Sequence, residues 1–219
     1  EVDRSADLYV AALSDGALEG LGALLRLPGK LVVHTAGAVA GKVLAGVSGR
    51  YGVLYPLQSL RSQIRPFPEF PLLVDAQHAE DLSLLLDFAR TLSRQVQEAD
   101  DGTRLKLHVA AVLVNNFTNY LYTRSEDFCR KEGLDFSLLL PILRETAQRL
   151  QRYSPREVQT GPAIRGDRET IKRHLEVLNN YKDLSELYQL FSNQIEAFYH
   201  PQTGNDGGTR DKGGENSGG

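Results

Sequence analysis

Residues 7–37, DLYVAALSDGALEGLGALLRLPGKLVVHTAG, decide the fold. Residues 7–13 form a short apolar run that reads as a strand, ending at Ser14-Asp15, whose side chains can cap a helix over residues 17–25. A second strand, residues 30–33, breaks at His34-Thr35-Ala36-Gly37. Strand, capped helix and strand within about thirty residues make a βαβ unit, which predicts a parallel sheet with right-handed crossovers. Residues 52–55 and 70–75 extend that sheet, and the proline-bearing stretch 56–71 between them reads as irregular.

Beyond residue 77 turn residues become sparse and the apolar spacing becomes helical. Residues 81–97 carry Leu82, Leu85, Leu86, Ala89 and Leu92 on one face. Residues 104–131 read as one long helix, apolar nearly all round in its first half and closed by Gly133. Helices over 136–153, 168–180 and 184–199 follow, with Pro141 near one start and Asp167 as a cap. The fold class is therefore α/β plus all-α: a partial sheet domain over 1–76, a helical domain over 77–200 and a tail over 201–219. That tail holds seven glycines and no apolar residue, so it cannot offset the entropy of ordering and is expected to be disordered.

The 219 residues carry 25 basic and 28 acidic side chains, net charge −3, with no basic block, so no nucleic-acid partner is expected. The single Cys129 excludes an internal disulfide or a multi-cysteine metal site and reads as an inert buried thiol. No apolar run approaches the ~20 residues of a membrane span, and a cytoplasmic protein without a membrane partner is expected. Methionine is absent, and the chain opens on the polar stub EVDRSAD, which reads as a start in mid-domain.

In open parallel sheets ligands sit beyond the carboxyl ends of the strands, which directs attention to Ser14-Asp15 and to His34-Thr35-Ala36-Gly37. The small residues of the second turn would let a flat ring or a sugar approach the backbone; turn chemistry alone also explains the composition.

Several segments resemble a known family: VVHTAGAVAGKVL (32–44), YGVLYPLQSL (51–60), HVAAVLVNNFTNYLY (108–122), GLDFSLLLPILRETA (133–147) and SPREVQTGPAIRGDRETIKRHL (154–175). Together they are similar to bacterial proteins with a Rossmann-like domain followed by the domain of unknown function 2520. The layout is that of pyrroline-5-carboxylate reductase, ketopantoate reductase and 6-phosphogluconate dehydrogenase-like enzymes. The resemblance implies a dinucleotide-binding domain, here 1–76, followed by a helical substrate and dimerisation domain. It also implies an oxidoreductase using NADP (or NAD) on a small-molecule substrate, and a homodimer through the helical domain. The fingerprint G-x-G-x-x-G, whose glycines admit a pyrophosphate to a helix N-terminus, is absent from these 219 residues. Family members carry it before the segment equivalent to Asp7, so the chain is expected to lack its first strands and to bind no NADP measurably by itself. On that reading Ser14, Asp15, His34, Thr35, Ala36 and Gly37 border the cofactor.

On the long helix His108, Ala111, Val112, Asn115, Asn119 and Tyr122 fall in one stripe at 100° per residue. These polar groups could partner a substrate or a neighbouring helix. Related dehydrogenases place a catalytic lysine one turn before an asparagine on the corresponding helix, but here the residues four before Asn115 and Asn116 are Ala111 and Val112. His108 is the stripe's one group that titrates near neutrality, which makes it the candidate proton donor with Asn115 beside it. Gln58, Asn119, Thr160 and Arg165 are candidate substrate ligands, Arg165 as a fork for a carboxylate or phosphate. The expected activity is hydride transfer to or from a small acidic carbonyl or imine compound. The alternatives are a dinucleotide-binding or dimerisation module without catalysis, or an inactive fragment.

Overall fold

The computed structural model describes residues 2–60, 66 and 68–201. The tail beyond Pro201, and residues 61–65 and 67 of the stretch 56–71 expected to be irregular, lie outside the described residues. Five described strands form one sheet in the order β1 (Leu8–Ala11), β2 (Leu31–His34), β3 (Arg50–Pro56), β4 (Leu72–Ala76) and β5 (Val96–Glu98). Helix α1 (Asp15–Leu24) joins β1 to β2, and a 3₁₀ segment (Gly41–Gly46) leads from β2 to β3. As the βαβ pattern predicts, β1, β2 and β3 are parallel. Ser14 stands at the N-cap of α1, but its side chain makes no capping bond; its carbonyl accepts from Ala17 and Leu18 instead.

Two expectations need correction. β3 and β4 run antiparallel, with Pro56 opposite Leu72 and Gly52 opposite Ala76. Among the described residues of the connection no helix is present to carry the chain back along the sheet, as a parallel pair would require. Gly52 permits this pairing, because a Cβ there would lie 2.4 Å from the Asp75 carbonyl oxygen. The helix read over 81–97 is in fact α2 (Ala79–Leu92), and its last residues form β5, parallel to β4. The leucine spacing was helical only to Leu92; Val96 pairs opposite Leu72 in the sheet instead.

Alternation along the strands sorts the core into two faces. Leu31, Val33, Leu54, Leu72 and Val74 meet Leu85 and Ala89 of α2. On the opposite face Val32 joins Leu18 and Leu44, while Val53, Tyr55 and Leu73 join Ala99 and Leu107. With both faces covered, the central strands are apolar throughout rather than alternating with polar residues. The second face also receives the polar side chains His34 and Tyr55, and that placement builds the site.

Helix α3 (Asp101–Ala111) starts at Asp100, whose carboxylate accepts from the Thr103 amide. A π-helical segment (Val112–Phe117) follows, and then α4 (Thr118–Lys131). Chain contacts divide the protein into two compact units, 1–122 and 123–219. In the second unit, Gly133 ends α4 in the left-handed region at φ +68° while the Leu134 amide donates to the Cys129 carbonyl. A 3₁₀ turn (Phe136–Leu139) leads to α5 (Leu140–Arg149), with Pro141 in the first turn where its missing N–H costs nothing. Asp167 caps α6 (Arg168–Val177) by accepting from the Thr170 amide at 3.0 Å, and α7 (Lys182–Tyr199) closes the unit. Among the described residues no helix is long and apolar enough to cross a membrane.

Candidate active site

The site is assembled where β2 and β3 end and α3 crosses them. At the end of β2, His34 is fully buried and its Nδ1 accepts from the Ala36 amide at 3.2 Å, which tightens the turn into Ala36-Gly37. Burial first, and then the nearby Arg104 charge, holds the His34 imidazole below its ordinary value and so keeps it neutral. The turn is clasped from above by the first residues of α3. Arg104, 1% exposed, donates at 2.5 Å to both the Val39 carbonyl and the Asp101 carboxylate. The same Asp101 oxygen accepts from the Gly41 amide at 3.1 Å.

One helical turn after Arg104 comes His108, on the same side of α3. Its Nδ1 lies 2.9 Å from the Tyr55 hydroxyl, with the rings edge to face at 5.9 Å. Gly37 fits beneath this pair: a Cβ there would stand 2.5 Å from His108 Nδ1 and 2.9 Å from Tyr55 Cζ. Only a glycine lets the turn approach so closely. Burial raises the Tyr55 phenol above its ordinary range, and the Arg104 charge opposes that shift in part.

Tyr55 and His108 stand at the end of a cavity of about 600 Å³ within the first unit. Leu57, Leu107 and Val112 give it apolar walls, and Gln58, Asn115 and Asn116 line it with carboxamides. Asn116 was absent from the predicted stripe, and Asn119 does not line the cavity. The π-helical segment explains both, because each residue of an i→i+5 turn advances less than 100°, so six such residues fall behind by about one position. Asn116 is thereby swung toward His108, and residues beyond the segment are carried off the stripe.

Of the other sequence candidates, Thr35 is half-buried and Ala36 buried in the β2 turn, beside Gly37. Ser14 and Asp15 are exposed at the start of α1, and Gln58 accepts from the Ser59 amide. Thr160 and Arg165 are exposed on a loop of the second unit, where hydrogen bonds from Thr170 first, and then the Arg165 charge, keep the Asp167 carboxyl below its ordinary range. Tyr55 and Arg104 were missed by the sequence reading. Tyr55 looks like an ordinary strand residue before a proline, and an arginine in a helix ordinarily reads as solvated.

Two outcomes follow. Gly37→Ala should displace His108 from Tyr55 and destabilise the fold by about 1–3 kcal/mol, measurable by urea unfolding; an unchanged midpoint would contradict the close approach. The unfolded chain protonates His34 near its ordinary 6.5, whereas the folded protein resists protonation there. Stability is therefore full above that value and falls as pH drops through it, by at most about 1.4 kcal/mol per pH unit. Urea unfolding at pH 7 and pH 5 should show a larger loss for the wild type than for His34→Gln, and equal losses would refute the assignment.

Residues 70–195 match the family model described as domain of unknown function DUF2520. A crystal structure from Bacteroides fragilis, provisionally described as an NADP oxidoreductase, is 39% identical with a TM-score of 0.82; the match covers 90% of this chain and 77% of that one. A protein from Thermotoga maritima shares the fold at 18% identity and TM-score 0.68, covering 90% and 80% of the two chains. So does an imine reductase from Myxococcus stipitatus in complex with NADP⁺, at 12% identity and TM-score 0.58, covering 90% and 77%. Comparison with curated proteins finds no match. The model match spans more than half of the chain and the Bacteroides relative nearly all of it, and on both grounds the protein belongs to the DUF2520 family.

Proposed function

We propose that the protein is an NADP-dependent oxidoreductase that reduces a carbonyl or imine carbon of a small, acidic molecule. The observation that carries this reading is the Tyr55–His108 pair, held at 2.9 Å beside the small-residue turn after β2 and at the end of a carboxamide-lined cavity. The Bacteroides relative's description supports the reaction class. Thr35, half-buried at the carboxyl edge of β2, is assigned to border the nicotinamide, an assignment that rests on the family resemblance, while Ala36 and Gly37 are buried beneath α3 and set the turn. The phosphates find no G-x-G-x-x-G turn in this sequence, so no step is assigned to phosphate binding. When bound, the nicotinamide supplies the hydride.

The chain's own residues do the rest. His108 donates a hydrogen bond from its neutral imidazole to the heteroatom of the double bond as negative charge develops there, and the heteroatom takes its proton from solvent as product leaves. Asn115 and Asn116 orient the same group through their carboxamides, and Leu57, Leu107 and Val112 exclude water. Ser14 and Asp15, at the end of β1, would border the cofactor farther from the nicotinamide.

A homodimer through the helical domain completes the proposal. Val109, Leu113, Val114 and Phe117 are all exposed along one helix, and a second copy would cover them. Light scattering should give twice the monomer mass, and a strict monomer would remove this part.

The catalytic claim is tested by NADPH oxidation against a panel of keto acids and cyclic imines, using the polypeptide as it occurs in the cell. His108→Ala should lower turnover by about 10²-fold or more while leaving NADPH affinity unchanged. Unchanged turnover would remove His108 from the chemistry. NADPH binding with no turnover on any substrate would favour a binding module instead.

A further inference from the structure

We infer that Tyr55 is a positioning residue that fixes the proton of His108 on Nε2, so that the imidazole meets the substrate as a hydrogen-bond donor. The inference concerns the same site and rests on the proposed reaction for its catalytic consequence, but the tautomer is a property of the folded chain alone.

Tyr55 is buried, and among the described residues its hydroxyl has one polar partner, His108 Nδ1 at 2.9 Å. A buried hydroxyl keeps its hydrogen bonded, because an unpaired one costs about 1–3 kcal/mol. The phenol therefore donates and Nδ1 accepts. A neutral imidazole has a single N–H, so that hydrogen resides on Nε2. The opposite assignment, Nδ1–H donating to the phenol oxygen, would pair the weaker donor with the weaker acceptor, since a phenol is the more acidic donor and an imidazole nitrogen the more basic acceptor.

Two features hold this arrangement. Strand alternation places Tyr55 on the sheet face that carries His34 and that α3 covers. The backbone at Gly37 lies so close to both rings that a Cβ there would stand 2.5 Å from His108 Nδ1 and 2.9 Å from Tyr55 Cζ, which leaves the pair little room on that side. Nε2 is the ring nitrogen left for the cavity that His108 lines. A neutral N–H there can polarise a carbonyl or imine without carrying a formal charge.

The test is nitrogen NMR of the protein labelled with ¹⁵N-histidine, at about pH 8 where imidazoles are neutral. The His108 signals are identified by their loss in His108→Gln. The wild type should show a single form, Nδ1 unprotonated and hydrogen-bonded and Nε2 bearing hydrogen. Tyr55→Phe, which keeps the ring but removes the hydroxyl, should shift both resonances toward the averaged values of a tautomer mixture. A wild-type spectrum with hydrogen on Nδ1, or an averaged mixture, would overturn the inference, as would an unchanged spectrum in Tyr55→Phe. The wild-type measurement decides the tautomer even if the variant fails to fold. An Nε2–H form in a protein that reduces no carbonyl or imine would sink the oxidoreductase reading and leave the tautomer standing. Active enzyme with hydrogen on Nδ1 would do the reverse.

Discussion

A guanidinium almost wholly removed from water ties the site together. Arg104 joins the first turn of α3 to the backbone that follows β2, through the Val39 carbonyl and the Asp101 carboxylate, and Asp101 in turn takes the Gly41 amide. Burying that charge is costly, and only close charge-assisted bonds offset the cost. Both bonds are made by Nη2 and tie the start of α3 to the turn after β2, while Nε and Nη1 of Arg104 are buried with no hydrogen-bond partner among the described residues. One helical turn later, His108 inherits a fixed position above Gly37 and against Tyr55.

The same charge shapes the ionisation of its surroundings. It reinforces burial in keeping His34 neutral, and it moderates the rise that burial imposes on Tyr55. A neutral His34 bonded to the Ala36 amide holds the turn in one conformation. A protonated Tyr55 holds the His108 ring. The site thus presents preorganised donors to an apolar-walled cavity, the condition under which a hydrogen bond to a developing charge is most effective.

Much of this was legible in the sequence, and the remainder was hidden for identifiable reasons. The βαβ unit, the turn at His34 to Gly37 and His108 could be read because they rest on local periodicity and on strand-end chemistry. The antiparallel turn into β4 could not, since an apolar run such as residues 70–75 has the same composition in either direction. Asn116 was hidden because the stripe was counted at a uniform 100°, whereas Val112–Phe117 winds more loosely. Tyr55 and Arg104 gain their roles from partners 53 and 65 residues away, a separation at which spacing carries no signal.

The most direct test of the account is a crystal structure of the polypeptide as it occurs in the cell, with NADP and a cyclic imine or keto acid bound. The account predicts the nicotinamide ring beside Thr35 and the substrate heteroatom within hydrogen-bond distance of His108 Nε2. A nicotinamide bound away from the β2 turn, or a substrate whose reacting group lies beyond the reach of His108, would contradict it.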